Sequence, residues 1–129
     1  MSETKTPENL KYSKDHEWAR LEGNTAVIGI SDYAQDHLGD VVYVELPQVG
    51  KEFKAGAEFG VVESVKSVSS LYAPVSGKVI EVNGELPNNA KLVNDDPYGK
   101  AWMIKIEMSN PAEAGALLSA ADYQNSLAG

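Results

Sequence analysis

Short apolar runs interrupted by turn-forming residues constrain the fold of this chain most strongly. Residues 25–30 and 102–108 carry an apolar side chain at every second position, and Trp102 is the first of these in the second run. This is the period of strands with one buried face. Further apolar runs lie at residues 41–47, 58–64 and 78–84, separated by Gly50, Gly56, Pro74 and Gly77. Many short strands at close spacing predict a mainly β fold, a small barrel or sandwich.

Two stretches depart from the strand pattern and predict helices. Residues 31–38 form one helix, with Ser31 as the N-cap and Gly39 as the stop. Residues 111–127 form one or two helices, because Pro111 suits a first helical turn. Their predicted buried face consists of Leu117, Leu118 and Tyr123. A chain of 129 residues suits one domain, so we expect a single unit over 1–129, with the β core at about 10–108 and the helices at about 111–127.

Charge and residue content exclude several classes of function. Eleven basic residues against nineteen acidic ones give a net charge of -8, which disfavours binding to nucleic acid or anionic membranes. The chain has no cysteine, which excludes disulfides, thiolate catalysis and cysteine-ligated zinc. Its two histidines, His16 and His37, have no third ligand at metal-site spacing, so no metal centre is expected.

The N-terminal stretch does not look like a targeting segment. Residues 1–18 lack the apolar core of a signal peptide, and Glu3 and Glu8 argue against an acid-poor transit peptide. No window of the sequence approaches a membrane span. We therefore expect a cytoplasmic protein, and we expect it to be bacterial and monomeric.

The segment VVESVKSVSSLYAPVSG, residues 61–77, places a single cation, Lys66, inside strand-forming sequence. No glycine or proline marks a turn near this lysine. If Val65 and Lys66 are the central residues of a tight turn, two strands pair on either side of them. The predicted pairs are Ser64 with Ser67, Glu63 with Val68, and Val62 with Ser69. Lys66 then stands at the outermost tip of a hairpin.

The residues alone leave three interpretations of Lys66. The one they favour is an ordinary solvated lysine, a charge that discourages pairing between sheet edges. A second is a lysine that another enzyme modifies, since the neighbouring serines are small and leave the approach open. A catalytic lysine fits worst, because the segment offers neither burial nor a neighbouring cation to lower the pKa of the amine.

Longer motifs change this balance. The stretches LKYSKDHEW, IGISDYAQDHLGDVVYVELPQVG, FGVVESVKSVSSLYAPVSGKVIEVN, LVNDDPYGKAWMIKI and LLSAADY occur in this order over roughly 120 residues. In these motifs the chain resembles the glycine cleavage system H-protein family. The resemblance implies a barrel-sandwich hybrid of the lipoyl and biotinyl carrier type, built from two antiparallel sheets with a short internal helix and a helical C-terminal tail. It also implies a non-catalytic carrier in which Lys66 bears lipoate in amide linkage.

The resemblance implies partners as well. In this family the lipoyl arm accepts an aminomethyl group from a pyridoxal-phosphate glycine decarboxylase and passes it to a tetrahydrofolate-dependent aminomethyltransferase. Dihydrolipoamide dehydrogenase then reoxidises the dithiol, and a lipoate ligase or octanoyltransferase acts on the lysine. The chemistry belongs to the cofactor and to these enzymes, so the carrier supplies positioning and recognition.

Other residues receive roles from the resemblance. Glu63, Gly50 and Gly77 match the features that the lipoylating enzyme recognises, and Glu17 and His37 match residues beside the loaded arm. Plainer interpretations exist for the first three. Glu63 is then a solvated strand carboxylate, and the two glycines permit positive φ in turns. For the glycines we favour the turn role as the direct cause, with recognition following from the shape.

The chain departs from the family around the predicted arm site. Many relatives have serine in place of Asp15 and histidine in place of Tyr33. The carboxylate of Asp15 either strengthens amine binding or is merely solvated, and we favour solvation. We assign His16 and Trp18 to packing, because an amphipathic ring beside an apolar alternation usually packs.

Four alternatives to a glycine cleavage carrier remain open to different degrees. A biotin carrier is disfavoured, because that family has methionine on both sides of its lysine and this chain has Val65 and Ser67. A lipoyl domain of a 2-oxo acid dehydrogenase is disfavoured, because no linker rich in proline and alanine follows. A lipoyl donor to other complexes, or an unmodified binding or regulatory protein with the same fold, is not excluded by these residues.

Overall fold

The computed structural model describes residues 6–128, so residues 1–5, which include Glu3 of the N-terminal segment, and Gly129 lie outside the described residues. Within 6–128 the chain forms nine β-strands, three α-helices and two 3-10 segments. The strands are β1 Lys11–Tyr12, β2 Glu17–Glu22, β3 Thr25–Ile30, β4 Val41–Glu45, β5 Glu52–Phe53, β6 Glu58–Ser64, β7 Val68–Tyr72, β8 Gly77–Val82 and β9 Ile104–Met108. The helices are α1 Asp32–Leu38, α2 Leu92–Asp95 and α3 Ala120–Ala128, and the 3-10 segments are Leu86–Asn88 and Pro111–Ala116. None of the helices in this range is long and apolar enough to cross a membrane.

The strands form two sheets. The larger has the order β1-β2-β3-β9-β8-β5, and the smaller has the order β4-β6-β7. All neighbouring strands are antiparallel. The main core joins buried residues of both sheets, among them Ile28 and Ile106 of the larger sheet and Val44 and Val62 of the smaller. The predicted mainly β fold of two antiparallel sheets, with a short internal helix and a helical tail, is confirmed.

Strand β9 begins later than the alternating pattern predicts. Its inward side chains, such as Ile104, are buried as expected, but Trp102 precedes the strand and is partly exposed. The N–H of Trp102 donates to the carbonyl of Gly99 at 3.2 Å, and its own carbonyl accepts from Asn83 Nδ2 at 2.7 Å. These bonds hold Trp102 in the turn before the strand, so the predicted strand start at this residue was wrong.

Helix α1 has the predicted caps. Ser31 Oγ accepts a hydrogen bond from the N–H of Ala34 at 3.2 Å and so satisfies a free donor of the first turn. Gly39 ends the helix with φ of +79°, and its N–H donates to the carbonyl of Gln35. Glycine suits this position because a Cβ disfavours left-handed φ. The cap therefore fixes the point at which the chain leaves α1 for β4.

The C-terminal segment covers a second apolar cluster outside the main core. Residues 111–116 form a 3-10 segment and α3 begins at Ala120, so Leu117 and Leu118 lie in extended chain between them. Leu118 pairs there with Tyr12, its N–H donating to the Tyr12 carbonyl at 2.7 Å, which explains why no helix runs through it. Both leucines are only partly buried. Tyr123 is fully buried, as predicted, and packs in a cluster with Leu10, Tyr12, Trp18, Val27 and Ala120.

Candidate functional site

The β6–β7 hairpin has the predicted register. Val62 pairs with Ser69 and Glu63 with Val68, and the N–H of Ser64 donates to the carbonyl of Ser67 at 2.8 Å. Val65 and Lys66 are therefore the two residues of the tip, and both are exposed. The hairpin prediction made from the sequence is confirmed in geometry.

Ser64 explains why this tip needs no glycine. Its Oγ accepts from the N–H groups of Ser67 at 3.1 Å and of Lys66 at 3.3 Å, so a side chain satisfies the donors of the turn. Val65 binds outside the hairpin, because its N–H donates to the carbonyl of Asp40 at 3.0 Å. Neither tip residue has positive φ, a conformation that only His16 adopts among the non-glycine residues in 6–128. The tip is thus held by Ser64 within the hairpin and by Asp40 outside it, without a glycine or another special turn residue.

The side chain of Lys66 lies across the end of α1. A Cβ placed on Gly39 would be 3.4 Å from Lys66 Cε and 4.0 Å from its Nζ. Gly39 therefore serves twice, as the left-handed cap of α1 and as an open surface for the lysine side chain. The lysine amine therefore lies close to Gly39, the cap that follows the last residues of this helix, His37 and Leu38.

A cleft of about 300 Å³ opens beside this helix. It lies between α1, the strands of the hairpin and the start of β2, and its lining mixes apolar and polar groups. Its residues are Asp15, His16, Glu17, Ile30, Tyr33, Ala34, His37, Leu38, Val62, Ser69, Ser70 and Leu71. The structure therefore brings Glu17 and His37, predicted from the resemblance to lie beside the arm, into one cleft.

Glu17 is a buried carboxyl with partners on both oxygens. It is 2% exposed, Oε1 accepts from Ser13 Oγ at 2.6 Å, and Oε2 accepts from the N–H of Tyr72 at 3.2 Å. Burial raises the pKa of Glu17 to about 7, and these hydrogen bonds offset only part of that rise. The carboxyl can therefore exist in both protonation states near neutral pH.

His37 forms the outer part of the cleft. Its ring stacks on Tyr33 with centroids 4.1 Å apart, and its Nδ1 lies 3.2 Å from the carbonyl oxygen of Tyr33. The ring is exposed, so a neighbouring group can reach its free face. Within the described part of the chain, no cluster of three His, Asp or Glu side chains is arranged to hold a metal ion.

The residues assigned to packing divide into two kinds. Trp18 is fully buried and its Nε1 donates to the carbonyl of Pro97 at 2.9 Å. His16 is half-buried, shares a hydrogen bond of 2.8 Å with the Tyr123 hydroxyl and also lines the cleft. Burial lowers the pKa of His16, which favours the neutral form of its ring. Asp15 is exposed at the rim of the cleft.

The residues predicted for enzyme recognition lie on both sheets. Glu63 is on the smaller sheet in a row with Tyr43 and Val68. On the larger sheet, Gly77 of β8 pairs with Phe53 of β5, and Gly50, in the turn before β5, donates its N–H to the carbonyl of Val79 at 2.8 Å. The turn explanation is right for Gly50, whose φ is +97°. It is wrong for Gly77, a buried strand residue whose φ is not positive.

Gly77 is required by close packing instead. A Cβ at this position would overlap the carbonyl oxygen of Glu107 and the side chain of Ile106 on β9. Only a residue without a side chain lets β8 approach β9 at this point. Sequence reasoning missed Ser64 as the side chain that caps the hairpin tip, and it predicted Gly39 only as the stop of α1 and not as a contact of the Lys66 side chain.

Comparisons with known proteins identify the family of this chain. The family model described as glycine cleavage H-protein matches residues 10–128. A glycine cleavage system H protein from Carboxydothermus hydrogenoformans is 60% identical over 121 residues, which cover 94% of this chain and 93% of that protein. One from Symbiobacterium thermophilum is 61% identical over 117 residues, which cover 91% of each chain. The crystal structure of a glycine cleavage system H protein from Mycobacterium marinum matches with a TM-score of 0.87 and 36% identity, covering 95% of this chain and 98% of that one.

These matches extend over the fold, the hairpin and the C-terminal helix alike. They agree with the motifs read from the sequence and with the two-sheet architecture that presents Lys66. The chain belongs to the glycine cleavage H-protein family, and it is therefore a lipoyl carrier subunit of the glycine cleavage system and not a catalyst itself.

Proposed function

We propose that Lys66 is the residue of this chain that carries lipoate. The observation that supports it best is the position of Lys66 at an exposed hairpin tip, with its side chain crossing Gly39 at the end of α1. A modifying enzyme can reach an amine held there, while the hydrogen bonds of Ser64 keep the attachment point fixed. When bound, lipoate supplies a dithiolane that accepts an aminomethyl group from glycine and later releases it.

The cleft beside α1 fits such an arm. Leu38, Val62 and Leu71 supply apolar lining for a hydrocarbon chain and a sulfur ring, and Glu17 and His37 supply groups that bind an amine. We propose that Glu17 and His37 shelter the loaded arm between its visits to the enzymes. Since the pKa of Glu17 is about 7, its carboxyl can accept from an ammonium group or donate to a neutral amine near neutral pH.

The specific partners follow from the same proposal. They are glycine decarboxylase, aminomethyltransferase and dihydrolipoamide dehydrogenase, together with a lipoate ligase or octanoyltransferase that acts on Lys66. We propose that the last of these recognises Glu63 directly, and that Gly50 and Gly77 act by giving the β5–β8 edge its shape. We propose that the carrier meets these enzymes in the cytoplasm of a bacterium.

Glycine–bicarbonate exchange tests the role of Lys66. Lys66→Arg keeps a cation at the tip but removes the amine that can form the amide, so exchange by lipoate-treated protein with glycine decarboxylase should fall to the level without carrier. Lys54→Arg is the matched control, because Lys54 is also an exposed lysine beside a turn. Exchange that survives Lys66→Arg would show that another residue bears the arm.

The lifetime of the loaded arm tests the cleft. His37→Ala and Glu17→Ala should leave attachment of lipoate intact but should speed the loss of the aminomethyl group, because each removes a polar group from the cleft. Asp36→Ala is the control, since Asp36 lies beside His37 on α1 without lining the cleft. Unchanged decay in both cleft variants would remove the sheltering role while leaving the attachment site untouched.

A further inference from the structure

Tyr123 connects the C-terminal helix with two elements far away in the sequence. Its side chain is fully buried, and its hydroxyl shares hydrogen bonds with Ser31 Oγ at 2.7 Å and with His16 Nδ1 at 2.8 Å. These partners are 92 and 107 residues away along the chain. A single hydroxyl thus links α3, the start of α1 and the loop before β2.

Both partners of this hydroxyl lead to the cleft. Ser31 is the N-cap of α1, because its Oγ also accepts from the N–H of Ala34. The His16 ring lies between Tyr123 and Tyr33, with centroid distances of 5.7 Å and 4.7 Å. Tyr33 in turn stacks on His37 at 4.1 Å. A continuous row of rings therefore runs from the buried side chain of Tyr123 to the outer part of the cleft.

The backbone of His16 makes this connection informative. Its φ is +72°, the left-handed conformation that non-glycine residues adopt at a cost of about 1 kcal/mol or more. Backbone bonds hold it there, from its own N–H to Ser13 and from the N–H of Ser31 to its carbonyl. They do not set the direction of the ring, which depends on its side-chain contacts: the hydrogen bond to the Tyr123 hydroxyl and the packing against Tyr33.

Packing alone does not require the hydroxyl. The Tyr123 ring stacks on Tyr12 with centroids 4.5 Å apart and planes 2° apart, and a phenylalanine would make the same contact. The hydroxyl is the part of the residue that binds both Ser31, at the start of α1, and His16, which lines the cleft. We propose that Tyr123 is a positioning residue for the arm cleft, which acts through Ser31 and His16 on the rings of Tyr33 and His37.

This inference has two parts, and only the second, the effect on the arm, rests on the proposed function. The positioning of the rings is a property of the unmodified protein, whereas its effect on the arm requires that the cleft receives the arm. Two measurements separate these parts. The test variant is Tyr123→Phe, which removes the oxygen and keeps the stacked ring.

The control variant is Ser76→Ala. The Ser76 hydroxyl also bridges two partners, accepting from the N–H of Ala55 at 2.9 Å and donating to Glu113 at 2.9 Å. None of these three residues lines the cleft. The control therefore also removes two hydrogen bonds of one hydroxyl, but its partners are neither in α1 nor in the lining of the cleft.

The first measurement uses the unmodified protein. The ring nitrogen and proton NMR signals of His16 and His37 should shift in Tyr123→Phe and stay in place in Ser76→Ala. The His16 signals report the broken bond, and those of His37 report whether its effect passes through Tyr33. His37 signals that do not move in Tyr123→Phe would overturn the inference, whatever the arm does.

The second measurement uses the lipoylated protein at a temperature where all variants are folded. Loss of the aminomethyl group should be up to about tenfold faster in Tyr123→Phe, the factor that corresponds to one hydrogen bond, and unchanged in Ser76→Ala. Equal acceleration in both variants would mean that general loss of stability is the cause, and would overturn the inference. Failure of the proposed function looks different, since His37→Ala would then leave the decay unchanged although the His37 signals move in Tyr123→Phe.

Discussion

Glu17 places an ionisable carboxyl where water hardly reaches. Its two oxygens bind Ser13 and the N–H of Tyr72, so the residue ties the chain before β2 to the end of β7. The same carboxyl thus holds two parts of the chain together and lines the cleft. Because burial outweighs the hydrogen bonds, the pKa rises, and the charged form of Glu17 works against folding at neutral pH.

The stability of the protein should therefore depend on pH through Glu17. A carboxyl whose pKa is higher in the folded state binds more protons when folded, so stability falls as the pH rises from about 4.5 to about 7. The difference attributable to this residue reaches about 3 kcal/mol. Urea unfolding at several pH values should show that the Glu17→Gln variant loses less stability over this interval than the wild-type protein.

The comparison between the two proteins isolates Glu17. His16 contributes with the opposite sign, because burial lowers its pKa, but it does so in both proteins. If the stability of Glu17→Gln and that of the wild-type protein depend on pH in the same way, Glu17 is not the group whose pKa is raised.

Gly77 offers a second prediction at the scale of one residue. Gly77→Ala should destabilise the protein by about 3 kcal/mol, because the new methyl group would overlap the β9 backbone at Glu107. Gly84→Ala is the control, since no atom lies within 4 Å of a Cβ built there and its φ is not positive. Thermal or urea unfolding of both variants checks this, and equal effects would contradict the close-packing explanation.

At the scale of elements, the attachment hairpin is held by a side chain instead of a special turn residue. The Oγ of Ser64 binds the N–H groups of Lys66 and Ser67, and Val65 binds the loop after α1 through Asp40. The hairpin and helix α1 therefore form one rigid support for the lysine. Mobility is left to the side chain of Lys66 and to what is attached to it.

Ser64→Ala should loosen this tip without changing its register. The variant should lose about 1 kcal/mol of stability, the net value of a hydrogen bond. Amide hydrogen exchange of Lys66 and Ser67 should become faster, while that of Val62 stays slow because the β6–β7 ladder remains. Ser69→Ala, at an exposed position of the same hairpin, is the control. Unchanged exchange at Lys66 and Ser67 would mean that Ser64 does not hold the tip.

The elements with long alternating patterns were predictable, and the contacts between them were not. The hairpin register followed from the apolar positions, because a shift of one residue would turn Val62 out of the core. Strands β1 and β5 have only two residues each, too few for a period to show. The serines near Lys66 look alike in the sequence, so the capping role of Ser64 became visible only with the fold. The same holds for Tyr123, whose partners lie far away along the chain.

At the scale of the whole molecule, the acidic net charge leads to a prediction about how the carrier associates with its enzymes. The net charge of -8 falls to about -9 when an amide replaces the lysine amine. Partners with basic surfaces would then be attracted at long range, and each would release the carrier again without a strong apolar interface. This suits a protein that visits several enzymes in turn.

Association of the lipoylated protein with glycine decarboxylase should therefore depend on salt. The association rate constant should fall severalfold between about 0.05 M and about 0.5 M sodium chloride, because the screening length shortens over that range. Stopped-flow measurements can follow this. A rate constant independent of salt would contradict a role for the acidic surface.

The modification of Lys66 is the claim on which the arm, the cleft and the partners depend. Intact mass spectrometry of protein incubated with lipoate, ATP and lipoate ligase measures it most directly. The account predicts a gain of one lipoyl group in the unmodified sequence and in Lys54→Arg, and no gain in Lys66→Arg. A gain that persists in Lys66→Arg, or no gain in any of the three proteins, would contradict it.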